Sequence, residues 1–210
     1  MKLLYQTHSP YARKVLVMAY EVGLADRLEV IHHETSPTQR NEQVFQLNPL
    51  GKVPVLVRDD GTALFDSSVI CEYLDSLHAG PKMIPAAPKQ RWRSLQLQAL
   101  AQGLCEAGIS VRHETVRRPA PYRYAAMRDG QIEKLVASYD FLEREWSRGE
   151  AGAATDVDIG AIALATALSW LAFRELPAFE SGRPHLSAWY RAFLQRPSML
   201  ATPLEGETVD

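Results

Sequence analysis

The hydrophobic pattern of this chain changes once, across a spacer at residues 78–88 that carries one glycine and three prolines. Over residues 1–77, short apolar runs alternate with helical patterns in the order β-α-β-α-β-β-α, which predicts a mixed sheet with helices packed on it. Over residues 89–210 every periodic segment is helical. We therefore predict an α/β domain, a linker and an all-helical domain, with boundaries at these residues.

Composition narrows the classes of function. A chain of 210 residues with 46% hydrophobic and 23% charged residues has the profile of a soluble globular protein. The formal net charge of -2 provides no basic field for phosphates, so nucleic acid is not an expected partner. The apolar run after Lys2 is far shorter than the roughly 7 to 15 residues of a secretory leader, and we expect a cytoplasmic protein.

The longest apolar run covers residues 159–173, short of the roughly 18 residues that cross a bilayer. It is expected to be the buried central helix of the second domain, with no membrane partner. Thr155 and Asp158 resemble a capping box that opens this helix. The acidic tail after Ala201 is expected to fray.

The cysteines and histidines do not form a recognisable metal or disulfide pattern. Cys71 and Cys105 are too few for a disulfide framework and lack C-x-x-C spacing, so both are expected to be reduced and structural. His32 and His33 are adjacent in a predicted strand and would point to opposite faces. No metal site is expected.

A strand runs almost directly into a helix at Ser9, which is a suitable N-cap, and Pro10 suits the first helical position. The apolar period begins at Ala12, whereas Arg13 and Lys14 lie off the apolar stripe. A helix start carries about half a positive charge, so an anion, including a thiolate, is stabilised near the Ser9 hydroxyl. Taken alone, Ser-Pro is also an ordinary helix start.

Residues 53–57 and 63–65 predict an antiparallel hairpin. Pro54 cannot donate to a sheet ladder, so it must occupy an edge, a first position or a tight bend that can hold a cis bond. Asp66 or a serine after it is expected to cap the next helix.

Four motifs, taken together and in order, resemble a cytosolic glutathione S-transferase of the serine-type bacterial group. They are Ser9-Pro10, Asn48-Pro-Leu-Gly-Lys-Val-Pro-Val-Leu56, Asp66-Ser67 and Thr155-Asp-Val-Asp158. The resemblance covers the whole chain and implies a thioredoxin-like N-terminal domain and an all-helical domain that contributes an electrophile pocket. It implies glutathione as co-substrate with no other cofactor, and a two-fold homodimer in which unlike domains of the two subunits meet.

The same resemblance implies roles for five residues. Ser9 would donate its O–H to the glutathione sulfur and favour the thiolate. Val53 would pair its backbone with the cysteinyl residue, and Lys52 would reach the glycyl carboxylate. Ser67 would take the γ-glutamyl carboxylate while Asp66 attracts the ammonium. In isolation, Ser67 is better explained as a helix cap and Lys52 as a solvated surface charge. The presence of Asp66 beside Ser67, after Val53-Pro54, favours the binding roles.

For the electrophile pocket the candidates are Tyr11, Arg112 and His113, although a solvated helix end explains His113 as well. Tyr11 is also the alternative hydroxyl if Ser9 does not act on the sulfur. Tyr5 is a second rival, but its place in a strand is typical of a core residue.

The implied activity is a detoxification transferase that activates the glutathione thiol for attack on a small electrophile. One alternative keeps glutathione but uses it for dehalogenation, isomerisation or peroxide reduction. Another is a non-catalytic binding or regulatory protein with the same fold. Serine rather than cysteine at position 9 counts against thiol–disulfide exchange.

Overall fold

The computed structural model describes residues 1–149 and 156–207. It divides into two compact units, one formed by Met1–Pro88 together with the chain from Pro197 onwards, and the other by Lys89–Arg196.

The first unit begins with the predicted β-α-β-α-β-β-α order. Its elements are β1 (Lys2–Tyr5), α1 (Pro10–Glu21), β2 (Glu29–His32), α2 (Glu42–Leu47), β3 (Val55–Val57), β4 (Ala63–Leu64) and α3 (Ser67–Ser76). The strands form one mixed sheet in the order β2-β1-β3-β4, in which β1 is parallel to β2 and antiparallel to β3. The predicted thioredoxin-like class is confirmed.

Helix α1 is buried on more than one side. Ala12, Val15 and Ala19 are buried along its predicted apolar stripe. Arg13 and Lys14 lie off that stripe but are also buried, each with 4% of its surface exposed. Other parts of the first unit cover them.

The second unit is helical. It contains α4 (Pro88–Arg112), α5 (Ala125–Ser147), α6 (Ile159–Phe173) and α7 (Pro184–Leu194). Helix α6 is buried from Ile159 to Leu171, as predicted for a central helix. Within the described ranges, no helix is both long and apolar enough to cross a membrane.

The start of α6 differs from the predicted capping box. Asp158 is itself the N-cap, and its carboxylate accepts the N–H of Ala161 at 2.8 Å. The helix therefore begins directly after Asp158, because this carboxylate is close enough to satisfy a first-turn N–H. Thr155, the predicted first residue of the box, lies outside the described residues.

The predicted domain boundaries also differ from the observed units. The spacer at 78–88 belongs to the first unit, where buried Asp75 at the end of α3 accepts the N–H groups of Met83 and Ile84 at 2.8 and 3.2 Å. After Arg196 the chain returns to the first unit and forms the short helix α8 (Pro197–Leu200). Residues 197–207, here called the C-terminal strap, were predicted to lie in the helical domain.

Candidate functional site

Ser9 lies in the turn between β1 and α1 and caps the helix. Its backbone is extended (φ -90°, ψ 119°), and its Oγ accepts the N–H of Ala12 at 3.2 Å. The residue is 7% exposed. Accepting this bond does not use the hydroxyl proton, and no acceptor for it occurs in the described part of the chain. Ser9 can therefore donate that proton to an anion at the N-terminus of α1.

The Ser9 turn is fixed by Gln6, a residue that the sequence did not single out. The carbonyl of Gln6 accepts the N–H of Ser9 at 2.9 Å. Its buried side chain donates to the carboxylate of Glu34 at 2.7 Å and accepts from the Thr35 hydroxyl at 3.1 Å. Burial opposes ionisation of Glu34, but hydrogen bonds from Gln6 and His32 outweigh it and lower the pKa of Glu34.

The C-terminal strap is bonded to the same turn and to α1. The N–H of Glu205 donates to the carbonyl of Thr7 at 3.3 Å. The guanidinium of Arg13 donates to the carbonyl of Met199 at 3.2 Å and to the hydroxyl of Thr202 at 3.4 Å. These bonds bury Arg13, and they show that the described tail does not fray as predicted. These hydrogen bonds join residues far apart in sequence, so no local sequence pattern predicts them.

The two rival tyrosines have different surroundings. Tyr5 is 5% exposed in β1, and burial raises the pKa of its hydroxyl to about 12. The predicted core position of Tyr5 is therefore confirmed. Tyr11 is the second residue of α1 and is partly exposed, so its hydroxyl stays the alternative to Ser9.

The loop before β3 is organised by Asn48, which is 2% exposed. Its side-chain amide donates to the carbonyl of Lys52 at 2.9 Å and accepts the N–H of Leu50 at 3.0 Å. Gly51 adopts φ 62°, and a Cβ at this position would overlap the ring of Phe45. The ammonium of Lys52 is exposed and has no partner among the described residues. The loop thus presents a cation beside the sheet.

Pro54 lies in a tight bend with a cis bond, which is one of the three placements that the sequence allows for it. The Val53–Pro54 peptide bond is cis. Strand β3 begins at Val55, so the peptide groups of Val53 precede the paired part of the strand. An extended ligand can pair with such groups as an added strand does.

Helix α3 begins with the predicted acidic and hydroxyl residues. Asp66 is the N-cap, and its Oδ1 accepts the N–H groups of Ser68 and Val69 at 2.8 and 3.4 Å. Ser67, the first helical residue, is 2% exposed. The Ser67 hydroxyl makes no hydrogen bond to any residue in the described ranges. The start of α3 therefore offers the hydroxyl and the N–H of Ser67 to an anion, beside the carboxylate of Asp66.

The candidates from the second unit lie where α4 ends. Arg112 is the last residue of α4, and His113 begins a single π-helical turn, His113–Arg117, that the sequence did not predict. Both side chains are partly exposed. The turn is held by buried Glu114, which accepts the N–H of Tyr124 at 2.7 Å. Tyr11 belongs to the first unit, so the grouping of Tyr11 with these residues stays a prediction.

Neither cysteine is disulfide-bonded, and both are buried. Burial raises the pKa of the Cys71 thiol to about 11, which keeps it protonated at neutral pH. Cys71 is therefore not a competing nucleophile. Among the residues that the structure describes, His, Cys, Asp and Glu side chains form no group of three or more suited to a metal ion.

Comparison with known families matches both parts of the chain. The family described as "Glutathione S-transferase, N-terminal domain" matches residues 8–77. The family described as "Glutathione S-transferase, C-terminal domain" matches residues 120–192.

Individual relatives extend over nearly the whole chain. The GST-like protein YibF of Escherichia coli K12 is 36% identical over 204 residues, which is 96% of this chain and 98% of the relative. A solved glutathione transferase family member from Pseudomonas fluorescens Pf-5, with bound glutathione, has a TM-score of 0.90 and 39% identity and covers 98% of this chain and 99% of its own. A second structure from that organism contains S-(propanoic acid)-glutathione, with a TM-score of 0.86, 38% identity and coverage of 98% and 100%.

Proposed function

The chain belongs to the glutathione S-transferase family, and from that premise we propose that it uses Ser9 to stabilise the thiolate of bound glutathione for attack on a small electrophile. The observation that carries this proposal is the Ser9 hydroxyl, which caps α1 through Ala12 and still has a proton to donate. A donor at a helix N-terminus favours the ionised form of a thiol.

The first unit supplies groups for each part of the tripeptide. In our proposal the exposed ammonium of Lys52 binds the glycyl carboxylate, and the backbone of Val53 pairs with the cysteinyl residue. The hydroxyl and N–H of Ser67, at the start of α3, take the γ-glutamyl carboxylate, while Asp66 binds the γ-glutamyl ammonium. The bound glutathione of the relative from Pseudomonas fluorescens supports this choice of ligand.

Thiolate formation alone accounts for only a small part of the rate. A thiol with a pKa of about 8.5 is about 3% ionised at pH 7, and lowering its pKa by about two units raises this to about 75%. The gain is about 25-fold, but the weaker nucleophile loses roughly eightfold. Roughly threefold remains. Holding the thiol and the electrophile in attack geometry must therefore supply most of the acceleration.

The proposal also covers the side chains that select the electrophile and the arrangement of the subunits. Tyr11, Arg112 and His113 provide a hydroxyl, a guanidinium and an imidazole, and we propose them as the side chains that select the electrophile. We also propose that the protein acts as a homodimer, with glutathione as its co-substrate.

Calorimetric titration with glutathione, followed by turnover of a chlorinated nitroaromatic compound, tests the function. Binding with turnover is the expected result. A matched titration with Ser67→Ala should show weaker binding, because the variant lacks the hydroxyl proposed to bind the γ-glutamyl carboxylate. Absence of binding to the unaltered protein would overturn the proposal, and binding without turnover across a panel of electrophiles would favour the non-catalytic alternative.

A further inference from the structure

Lys14 is a buried cation that the mechanism above does not use. It projects from α1 and is 4% exposed. Its ammonium donates to the hydroxyl of Ser68 at 3.3 Å, and within the described ranges it forms no ion pair with a carboxylate. Burial of an ammonium is unfavourable unless negative charge compensates it, and one neutral hydroxyl does not supply that charge.

The nearby carboxylates are engaged by other groups. Lys14, Asp66 and Asp75 all act electrostatically on the thiol of Cys71, so they share one neighbourhood. Asp66 caps the first turn of α3, as described above. Asp75 accepts two backbone N–H groups of the spacer and the ring nitrogen of His78 at 3.0 Å. Within the described residues neither carboxylate forms an ion pair with the Lys14 ammonium, so an anion bound beside Ser68 can compensate its charge.

The position of the ammonium indicates what that anion is. Ser68, which Lys14 contacts, is the second residue of α3 and follows Ser67, whose hydroxyl has no partner among the described residues. The start of α3 already carries about half a positive charge. A full charge held against its first turn, where water screens it little, strengthens that field.

We infer that Lys14 is a positioning residue that makes the start of α3 selective for the α-carboxylate of the γ-glutamyl group. The carboxylate compensates the buried ammonium, and the ammonium adds to the attraction of the Ser67 hydroxyl and N–H. This inference rests on the proposed function, because it concerns the same tripeptide site.

The test compares two ligands. Glutathione and 4-aminobutyrylcysteinylglycine, which lacks only the α-carboxylate, are titrated by calorimetry into the unaltered protein and into Lys14→Met and Lys14→Arg. Lys14→Met should weaken glutathione binding about tenfold and change binding of the analogue less than about twofold. Lys14→Arg, which keeps the charge, should retain the preference for glutathione.

Two lysines serve as matched controls. Lys52→Met should weaken the binding of both ligands by the same factor, because both ligands keep the glycyl carboxylate. Lys89→Met removes an exposed charge from α4 and should affect neither ligand. If Lys14→Met lowers the folded fraction, Lys14→Gln replaces it, since a glutamine can bond to Ser68 without the charge.

The outcomes separate the inference from the function on which it rests. Failure of the unaltered protein to bind glutathione would overturn the proposed function. Normal binding by the unaltered protein with equal weakening of both ligands in Lys14→Met, or weakening of neither, would overturn the role of Lys14 alone. A weaker dimer in sedimentation with unchanged ligand preference would also overturn it, because the compensating anion would then belong to a second subunit.

Discussion

The Oγ of Ser9 accepts the N–H of Ala12 at 3.2 Å, so one hydroxyl both caps α1 and keeps a proton for a ligand. Replacement of Ser9 by alanine removes both interactions. The capping loss should cost about 1 kcal/mol of unfolding free energy. The loss of the donor should raise the pKa of bound glutathione towards its ordinary value of about 8.5 and lower turnover, with little change in affinity.

These effects are measured by thermal unfolding, by the ultraviolet absorbance of the bound thiolate against pH, and by steady-state kinetics. Ser9→Thr is the matched control, because threonine keeps the cap and the hydroxyl. An unchanged pH–rate profile in Ser9→Ala would contradict the assignment and make Tyr11 the next hydroxyl to replace.

Asn48→Ala should weaken glutathione binding through Lys52. The buried amide joins the Lys52 carbonyl to the Leu50 N–H, and its removal leaves two backbone groups without partners at a cost of about 1–3 kcal/mol. If Asn48 affects glutathione binding because its loop positions Lys52, Asn48→Ala should reduce the affinity much less in a protein that already carries Lys52→Met. A double-mutant cycle measured by calorimetry checks this coupling. Additive losses would show that Asn48 supports the fold and not the position of Lys52.

Shortening the C-terminal strap should disturb the Ser9 turn. A chain that ends at Leu204 loses the N–H that Glu205 donates to Thr7, and we expect a loss of about 0.5–1.5 kcal/mol of unfolding free energy together with slower turnover. A chain that ends at Gly206 keeps this bond and is the control. Equal turnover of the two shortened chains would show that the strap does not support catalysis.

Protonation of Glu143 should make the second unit less stable at acidic pH. This residue of α5 accepts the N–H of Leu186 at 2.9 Å and the ring nitrogen of His185 at 2.7 Å, at the start of α7. Burial raises the pKa of Glu143, but these hydrogen bonds outweigh it and hold the pKa below the ordinary value of 4.5. Since the folded pKa is the lower one, the stabilisation is present above about pH 4.5 and is lost as pH falls through the folded value.

Urea unfolding of the unaltered protein and Glu143→Gln at pH 7 and pH 4 measures this effect. The difference in unfolding free energy between the two proteins should shrink at the lower pH. Glu133→Gln, also on α5 but exposed, controls for the loss of a carboxylate. A difference that is the same at both pH values would contradict the role given to the Glu143 charge.

Features with a local signal in the sequence were predicted correctly. Ser9 and Asp66 cap the helices expected of them, because each acts on N–H groups two or three residues away. The cis bend at Pro54 was one of three placements that the sequence allowed, because proline limits its own backbone and removes a donor. The order of strands and helices along residues 1–77 followed from short apolar runs that alternate with helical patterns, whereas the order of the strands within the sheet was not predicted.

Contacts between distant segments of the chain were not predicted from the sequence. Arg13 and Lys14 lie off the apolar stripe of α1, yet their partners Met199 and Ser68 lie 186 and 54 residues away and bury them. Gln6 binds Glu34 across 28 residues. Helical periodicity reports which face is apolar, but it does not report which polar side chains another segment will cover.

The return of residues 197–207 to the first unit also sets an order for synthesis. A ribosome makes the whole helical unit before it makes Met199 and Glu205, the acceptor for Arg13 and the donor to Thr7. An emerging chain that already contains Ser9 therefore lacks these bonds until the helical unit has been made. The Ser9 turn is thus translated before the helical unit but gains its bonds to residues 197–207 only after it.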